Sequence, residues 1–197
     1  LLHYLYVLLL IFIFPPITIT QFQGLINSKK FQRDYVSYDK ISKNAVLAVM
    51  GAEDQLFAEH HGFDMESIEK AMEYNTVKKG KKVRGASTIS QQVAKNVFLW
   101  QNRSWIRKGL EVYFTLLIEV LWSKKRIMEM YLNVVEMGDG IYGIEAAAQS
   151  YFKIPASQLN AEQASMIAAA LPNPKKYKVM PSSAWVRYRA PWVQMQI

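Results

Sequence analysis

The sequence predicts a mostly α-helical protein on three observations. Apolar residues recur at three- and four-residue spacing along most of the chain, helix-start signals precede several of these stretches, and no run alternates with a period of two. With 197 residues, 51% of them hydrophobic, the chain can bury one full core, and one domain with an appendage is expected.

The appendage is at the N-terminus. Residues 1–19 contain no Lys, Arg, Asp or Glu, and residues 4–14 are all apolar or aromatic. As a helix, residues 1–19 would span about 28 Å, close to the roughly 30 Å of a bilayer's hydrocarbon core. Residues 1–20 are therefore expected to form a transmembrane anchor. Pro15 and Pro16 are the residues that end or kink that helix, leaving about 21 Å before them. The stretch Thr18-Ile19-Thr20-Gln21-Phe22 lacks the small-residue pattern of a signal-peptide cleavage site, which favours an anchor. A polar linker is expected over 21–38, and a folded domain over 39–197.

Within that domain, Ile41, Ala45, Ala48 and Val49 keep helical spacing into Glu53, and Met65, Ile68 and Met72 mark a second helix. Residues 78–84 are basic, hold Gly80 and have no apolar face, so a loop is expected that either is solvated or meets anionic lipid or substrate. The next helix opens at Ser87-Thr88, where Thr88 and Gln91 have capping-box spacing, and its stripe is Ile89, Val93, Val97 and Phe98. A longer helix from Trp105 to Trp122 is expected to bury Leu110, Phe114, Leu117 and Leu121. Ser123 caps another that carries Ile127 and Tyr131. After a break at Gly138, Gly140 and Gly143, two small-residue helices are expected over 144–152 and 161–171. The second starts with Asn160 and Gln163 at cap spacing and stops at Pro172.

The charge balance narrows the function. There are 24 Lys and Arg against 16 Asp and Glu, a net charge of +8, and a pI near 9.5. That suits an anionic partner: nucleic acid, a phospholipid surface or a phosphorylated substrate. The chain has no cysteine, which excludes disulfides, thiolate zinc sites and thiol nucleophiles.

Four stretches carry the polar chemistry. Glu53-Asp54-Gln55-Leu56-Phe57-Ala58-Glu59-His60-His61-Gly62 puts adjacent carboxylates at the C-terminal end of a helix, where the dipole raises carboxylate basicity. Read alone, it fits either a poised base or a solvated acidic turn. Arg84-Gly85-Ala86-Ser87-Thr88-Ile89-Ser90-Gln91-Gln92-Val93-Ala94-Lys95-Asn96 is a helix start crowded with hydroxyls and amides, suited to a phosphate or sugar oxygen or simply to capping. Arg107-Lys108-Gly109-Leu110-Glu111 sets a cation and a carboxylate four residues apart on one face. Lys124-Lys125-Arg126-Ile127-Met128-Glu129-Met130-Tyr131-Leu132-Asn133 reads most simply as a charged, solvated face.

These blocks, in this order, resemble the family 51 glycosyltransferases, the peptidoglycan glycosyltransferase domain of penicillin-binding proteins and its stand-alone relatives. Tyr142-Gly143-Ile144-Glu145-Ala146-Ala147-Ala148, Tyr151-Phe152 and Leu171-Pro172-Asn173-Pro174 extend the resemblance over residues 37–189. One position departs: relatives often carry a Lys two residues after the Tyr-Phe pair, where this chain has Ile154 after Lys153.

The resemblance implies a lysozyme-like, two-lobed helical fold with a cleft and a membrane-associated smaller lobe. It implies polymerisation of lipid II into β-1,4 glycan strands, with inversion and release of undecaprenyl pyrophosphate. Glu53 is then the base, and Glu111 a second carboxylate at the catalytic centre that positions donor, cations or metal. Asp54, Ser87, Thr88, Gln91, Gln92, Lys95, Asn96, Arg107 and Lys108 are the substrate-contacting candidates. No metal-ligand cluster is evident, although a divalent cation, Mg or Mn, bridging pyrophosphate to a carboxylate is compatible with this chemistry.

The partners implied are lipid II, the growing strand, membrane phospholipids and other cell-wall synthesis and division proteins, with no nucleic acid. The location implied is the inner membrane of a two-membraned bacterium, single-pass, with the catalytic domain periplasmic. Ser37-Tyr38-Asp39-Lys40 and Ser42-Lys43-Asn44 mimic transpeptidase motifs, but they crowd together and no Lys-Thr-Gly or Lys-Ser-Gly follows, so a monofunctional enzyme is expected. The rival readings are a lysozyme-like glycan hydrolase and a non-catalytic membrane scaffold with a basic ligand-binding surface.

Overall fold

A computed structural model describes residues 2–27, 31–77, 85–102 and 104–197. The basic stretch 78–84, including Arg84, lies outside the described residues. In chain order the elements are α1 (Leu2–Leu9), α2 (Ile19–Asn27), β1 (Gln32–Arg33), α3 (Lys43–Glu53), α4 (Met65–Val77), α5 (Ile89–Phe98) and α6 (Trp105–Leu121). There follow α7 (Lys124–Val134), β2 (Glu136–Gly138), β3 (Ile141–Tyr142), α8 (Ile144–Phe152), α9 (Ala161–Ala170) and α10 (Ala184–Gln194).

The mostly helical expectation holds, and local chemistry explains the helix starts. Ser42, Ser104, Ser123 and Ser183 each accept a backbone N–H of the first turn of α3, α6, α7 and α10. Thr88 with Gln91 opens α5 and Asn160 with Gln163 opens α9, both as reciprocal capping boxes. Two packing groups share the core: α9 lies against α3 and α10, while α5 lies against α6, α7 and α2. Ala168, Ala169 and Ala170 are buried, so backbones approach closely in the first group; Ile89, Val93, Ile127 and Tyr131 fill the second.

The N-terminal expectation is corrected. Residues 1–20 do not form one helix: α1 ends at Leu9, turns follow, and α2 begins inside the expected anchor and runs into the expected linker. Eight residues of α1 span about 12 Å. No helix among the described residues is long and apolar enough to cross a membrane. Pro15 and Pro16 supply no N–H to continue the ladder, and the last carbonyls find donors in the body instead. Arg126 donates to Leu10 O at 3.0 Å and Ile13 O at 2.6 Å, and Trp122 Nε1 donates to Val7 O at 3.0 Å. Glu129 balances Arg126 at 2.5 Å and also accepts the Tyr38 N–H at 2.6 Å.

Three further features depart from expectation. Strands do occur, in a small sheet ordered β1-β3-β2, with β1 parallel and β2 antiparallel to β3; two or three residues are too few to display an alternating pattern. In α6 the buried line is Glu111, Thr115, Ile118 and Trp122 with Leu117, whereas Leu110, Phe114 and Leu121 are half-buried. The polar members are tolerated because each is bonded: Thr115 Oγ1 donates to Glu111 O at 2.7 Å, and the Glu111 carboxylate is ion-paired. Phe114 stacks on Phe98, centroids 4.6 Å apart, on the side nearer α1. Finally, α10 is an additional helix that the sequence reading did not anticipate.

Large apolar side chains stay exposed on three helices. Leu2 and Leu5 on α1, Phe12 just beyond it, Phe22 and Ile26 on α2, and Trp105, Ile106, Leu116 and Val120 on α6 are all exposed.

Candidate active site

Glu53 is the last residue of α3, and the chain breaks from helix at Asp54. The two neighbouring carboxylates therefore point to different surroundings and have different work. Asp54 is buried, and its Oδ2 accepts the Ile89 N–H at 2.9 Å, tying the end of α3 to the start of α5. His60 Nε2 lies 2.9 and 3.0 Å from the two Asp54 oxygens. Because the Gly62 N–H donates to His60 Nδ1 at 3.1 Å, the ring proton sits on Nε2 and is donated to Asp54. Burial raises the Asp54 pKa, and the bonds from Ile89 and His60 oppose it.

The loop is closed by Gly62, whose φ of +94° suits glycine. A Cβ there would come 2.8 Å from Thr115 Cγ2. Gly62 O accepts the Thr88 hydroxyl at 2.7 Å. Below this loop, Glu119 accepts from Ser90 and from Lys124 at 2.8 Å, and Lys124 also donates to His60 O at 2.6 Å. Asp54→Asn is expected to set an amide N–H against either the Ile89 or the His60 donor. The cost is about 1–3 kcal/mol, a fall of several degrees in the thermal midpoint, and the loss is read in a melting curve beside wild type.

Glu53 is half-buried and receives one hydrogen bond, from Gln92 Nε2 to Oε2 at 2.8 Å. Burial pushes its pKa up; Gln92, Arg189 and Lys95 oppose that rise, and the Asp54 charge adds to it. The result is a more basic carboxylate than an exposed Glu, facing a cleft of about 1110 Å³. Residues from α3, α4, the start of α5 and α10 line that cleft, with Tyr177, Trp185, Arg189 and Trp192 on the α10 side.

A second, smaller pocket of about 240 Å³ adjoins it, and Ser87 and Gln92 line both. Lys95, Arg107, Lys108, Gln91 and Glu111 complete its wall. Glu111 is buried and fully engaged: Arg107 Nη1 lies 2.5 Å from Oε2, and Lys108 Nζ lies 2.5 Å from Oε1. Burial lowers the Lys95 pKa, opposed by Glu111 and reinforced by Arg107 and Lys108. Three cations against one carboxylate leave this pocket net positive, a place for a doubly charged phosphate group.

The structure thus brings Glu53, Asp54, Ser87, Thr88, Gln91, Gln92, Lys95, Arg107, Lys108 and Glu111 around two joined pockets. Asn96 lines neither, and the Thr88 side chain is engaged in structural bonds. The Thr88 oxygen caps α5 and bonds Gly62. Buried Asn96 accepts from Gln101, which in turn donates to Thr20 beside α2.

A divalent ion such as Mg or Mn needs carboxylate oxygens. Here those of Asp54 and Glu111 already face donors, and among the described residues no group of three His, Asp or Glu side chains gathers around a common point. Among the described residues no side-chain cluster forms a ready-made divalent-cation site, and the charge of the small pocket comes from Lys95, Arg107 and Lys108.

A two-pocket cleft with one basic carboxylate and a cationic recess is what a group-transfer enzyme with an anionic leaving group requires. The family model described as Transglycosylase matches residues 19–197, a span that includes every residue of both pockets. The chain belongs to the transglycosylase family. It is 52% identical over 185 residues to the biosynthetic peptidoglycan transglycosylase of Shewanella oneidensis, covering 94% of this chain and 75% of that relative. Against the protein of the same name from Xanthomonas axonopodis pv. citri it is 53% identical over 169 residues, covering 86% and 68%. Against that of Escherichia coli K12 it is 56% identical over 164 residues, covering 83% and 67%.

Residues that sequence reading missed complete this transglycosylase site. Arg189 Cζ lies 3.5 Å from the Trp192 ring centroid and bears electrostatically on Glu53. Tyr177 and Trp185 stack with centroids 4.9 Å apart. The signal was present: Ser183 is a cap, and Trp185, Arg189 and Trp192 follow at helical spacing on one face. His60 and Lys124 are motif residues whose structural work shows only in three dimensions.

Proposed function

We propose that this chain polymerises peptidoglycan, joining the 4-hydroxyl of one lipid II sugar to C1 of a chain carried on undecaprenyl pyrophosphate. The observation that carries this reading is the half-buried Glu53 carboxylate, which lines the large cleft and is held by Gln92, a residue that also lines the cationic recess. Glu53 takes the hydroxyl proton as the oxygen attacks C1 from the face opposite the leaving group. The C1–O bond to pyrophosphate breaks, and the configuration inverts to a β-1,4 link. Lys95 and Arg107, with Lys108 beside them, balance the charge that develops on the departing pyrophosphate. Pyrophosphate leaves well without protonation, so one base and several cations suffice.

Ser87, Gln91 and Gln92 are cast as substrate contacts, and Asp54, Thr88 and Asn96 as residues that hold the pocket walls. The overall shape is read as the two-lobed, lysozyme-like arrangement, with the α3, α9 and α10 group on one side of the cleft and the α5, α6 and α7 group on the other. A hydrolase reading is disfavoured by Glu111. Expelling a sugar alkoxide needs a carboxylic acid aimed at the sugar, whereas both Glu111 oxygens are turned to Arg107 and Lys108 as acceptors.

The deciding experiment is incubation of the purified chain with lipid II. Long glycan strands are expected; absence of product together with shortening of preformed strands would instead support the hydrolase.

The membrane part of the reading is that the enzyme works at the periplasmic face of the inner membrane beside its lipid-linked substrate, among phospholipids and other cell-wall synthesis proteins. The exposed apolar side chains of α1, α2 and α6 support it. Trp105 and Val120 stand 92% and 80% exposed. Trp105→Glu and Val120→Glu are each expected to weaken binding to phosphatidylethanolamine–phosphatidylglycerol vesicles by about ten- to a hundredfold. Cosedimentation checks this, and unchanged partitioning would remove α6 from the membrane face.

A further inference from the structure

Gln92 is a side-chain amide that can present either its NH2 or its carbonyl oxygen to a neighbour, and only the NH2 suits a carboxylate. The orientation seen has Nε2 toward Glu53 at 2.8 Å and Oε1 3.3 Å from the hydroxyl of Tyr131. Tyr131 lies on α7, fully buried in the core. A phenylalanine would fill the same space, so the hydroxyl is the part that packing leaves unexplained. Gln92 is the partner it has. Burial and then the charges of Glu53 and Asp54 raise the Tyr131 pKa well above the ordinary value, which keeps the phenol protonated and able to donate.

We propose that Tyr131 is a positioning residue for glycosyl transfer: its hydroxyl donates to Gln92 Oε1, turns the amide NH2 toward Glu53 Oε2, and reserves Glu53 Oε1 for the incoming sugar hydroxyl. The proposal rests on the reading of Glu53 as the base.

The energetic logic is that of a buried relay. With the amide reversed, Oε1 would face the Glu53 carboxylate across a hydrogen-bond distance, and lone pairs would oppose each other in a site of low dielectric. Glu53 would then hold its proton to a higher pH, and the fraction present as base would fall. The other groups that bear on Glu53 come from different elements: Arg189 from α10, Lys95 from α5, and Asp54 next to it in the chain. None of them bonds Tyr131 or fixes the Gln92 amide, so the relay can be removed while they stay.

The test titrates Glu53 by carbon-13 NMR of its carboxyl and measures the pH profile of lipid II polymerisation. It uses the full chain as wild type, Tyr131→Phe, Gln92→Met and the double variant, with Glu53→Gln identifying the resonance. Tyr131→Phe is expected to move the Glu53 titration and the acid limb of the rate upward together by about 0.5–1 unit. That is roughly three- to tenfold less carboxylate at a fixed pH on the limb. Gln92→Met moves both further, and adding Tyr131→Phe to it moves neither again, because Tyr131 acts only through Gln92.

A Glu53 titration unmoved by Tyr131→Phe, shifts that add independently, or a rate lowered equally at every pH overturns the relay. If a melting curve shows Tyr131→Phe unfolded, Gln92→Met alone decides: an unmoved Glu53 titration there is equally fatal. A Glu53→Gln enzyme at wild-type rate with the NMR shifts intact sinks the base reading and not the relay; an inactive Glu53→Gln with no shift in Tyr131→Phe sinks only the relay.

Discussion

Glu53→Gln is expected to lower the rate of lipid II polymerisation by about 10²- to 10⁴-fold, the range a positioned general base contributes. The substitution keeps the length and shape of the side chain, and its amide oxygen can still accept from Gln92 Nε2, so the walls of both pockets stay in place. On the proposed mechanism, what goes is the ability to take a proton from the attacking hydroxyl.

The pH dependence follows from the raised pKa. On the proposed reading the ionised form is the base, so the wild-type rate is expected to fall as pH drops through the folded-state value, which burial places above the ordinary Glu range. The sign for stability is the reverse of that for a salt-bridged carboxylate. Between the unfolded and the folded pKa the native state binds more protons than the unfolded chain, so stability declines as pH rises through that window and the loss persists at neutral pH. Glu53→Gln relieves it, and the thermal midpoint of the variant at neutral pH is expected to equal or exceed that of wild type. A stable variant that polymerises at the wild-type rate would show the base lies elsewhere.

The second large effect is expected at Glu111. Its partner Arg107 is 11% exposed in its side chain and Glu111 5%, so this is a buried pair, and neutralising one member strands the other. Glu111→Gln is expected to cost about 3–5 kcal/mol, a fall in thermal midpoint on the order of 10 °C. Lys108, 42% exposed, adds little to that figure because water screens it. Arg107 and Lys108 then lose the carboxylate that aims them into the recess, and a shift of about 1 Å in such groups costs about 10²-fold in rate. Melting curves and initial polymerisation rates read the two effects separately. A variant that melts and turns over like wild type would mean Glu111 neither holds the fold nor positions the cations.

Much of the site was legible because its interactions are local. The reciprocal cap of Thr88 and Gln91 spans three residues, and the Arg107–Glu111 and Lys108–Glu111 pairs span four and three. Helical geometry guarantees that such neighbours meet. The capping boxes of α5 and α9 are legible for the same reason. What sequence does not show is distant contact. Composition predicts one membrane-spanning helix for the apolar N-terminal run because it cannot register Trp122 and Arg126, which bond its carbonyls from 115 and 116 residues away at Val7 and Leu10. The spacing predicts an α6 stripe of Leu110, Phe114, Leu117 and Leu121, yet of these only Leu117 is buried, and Glu111 and Thr115 are buried beside it because hydrogen-bond partners make those polar groups cheap to bury.

By itself the sequence determined the helical class, most helix starts, the family and the short list of polar residues. Each is set by spacing along the chain or by motif order. Only the tertiary structure decided which donors each acid meets. Asp54, Glu111 and Glu53 look alike in sequence, but Ile89 and His60 engage the first, Arg107 and Lys108 clamp the second, and the third lines the cleft with a bond from Gln92 to one of its oxygens. The partner that holds Glu53 lies 39 residues away, and Tyr131 another 39 beyond it. Whether a carboxylate is free to act depends on which donors the fold brings to it, and donors that far apart meet only once the core has formed.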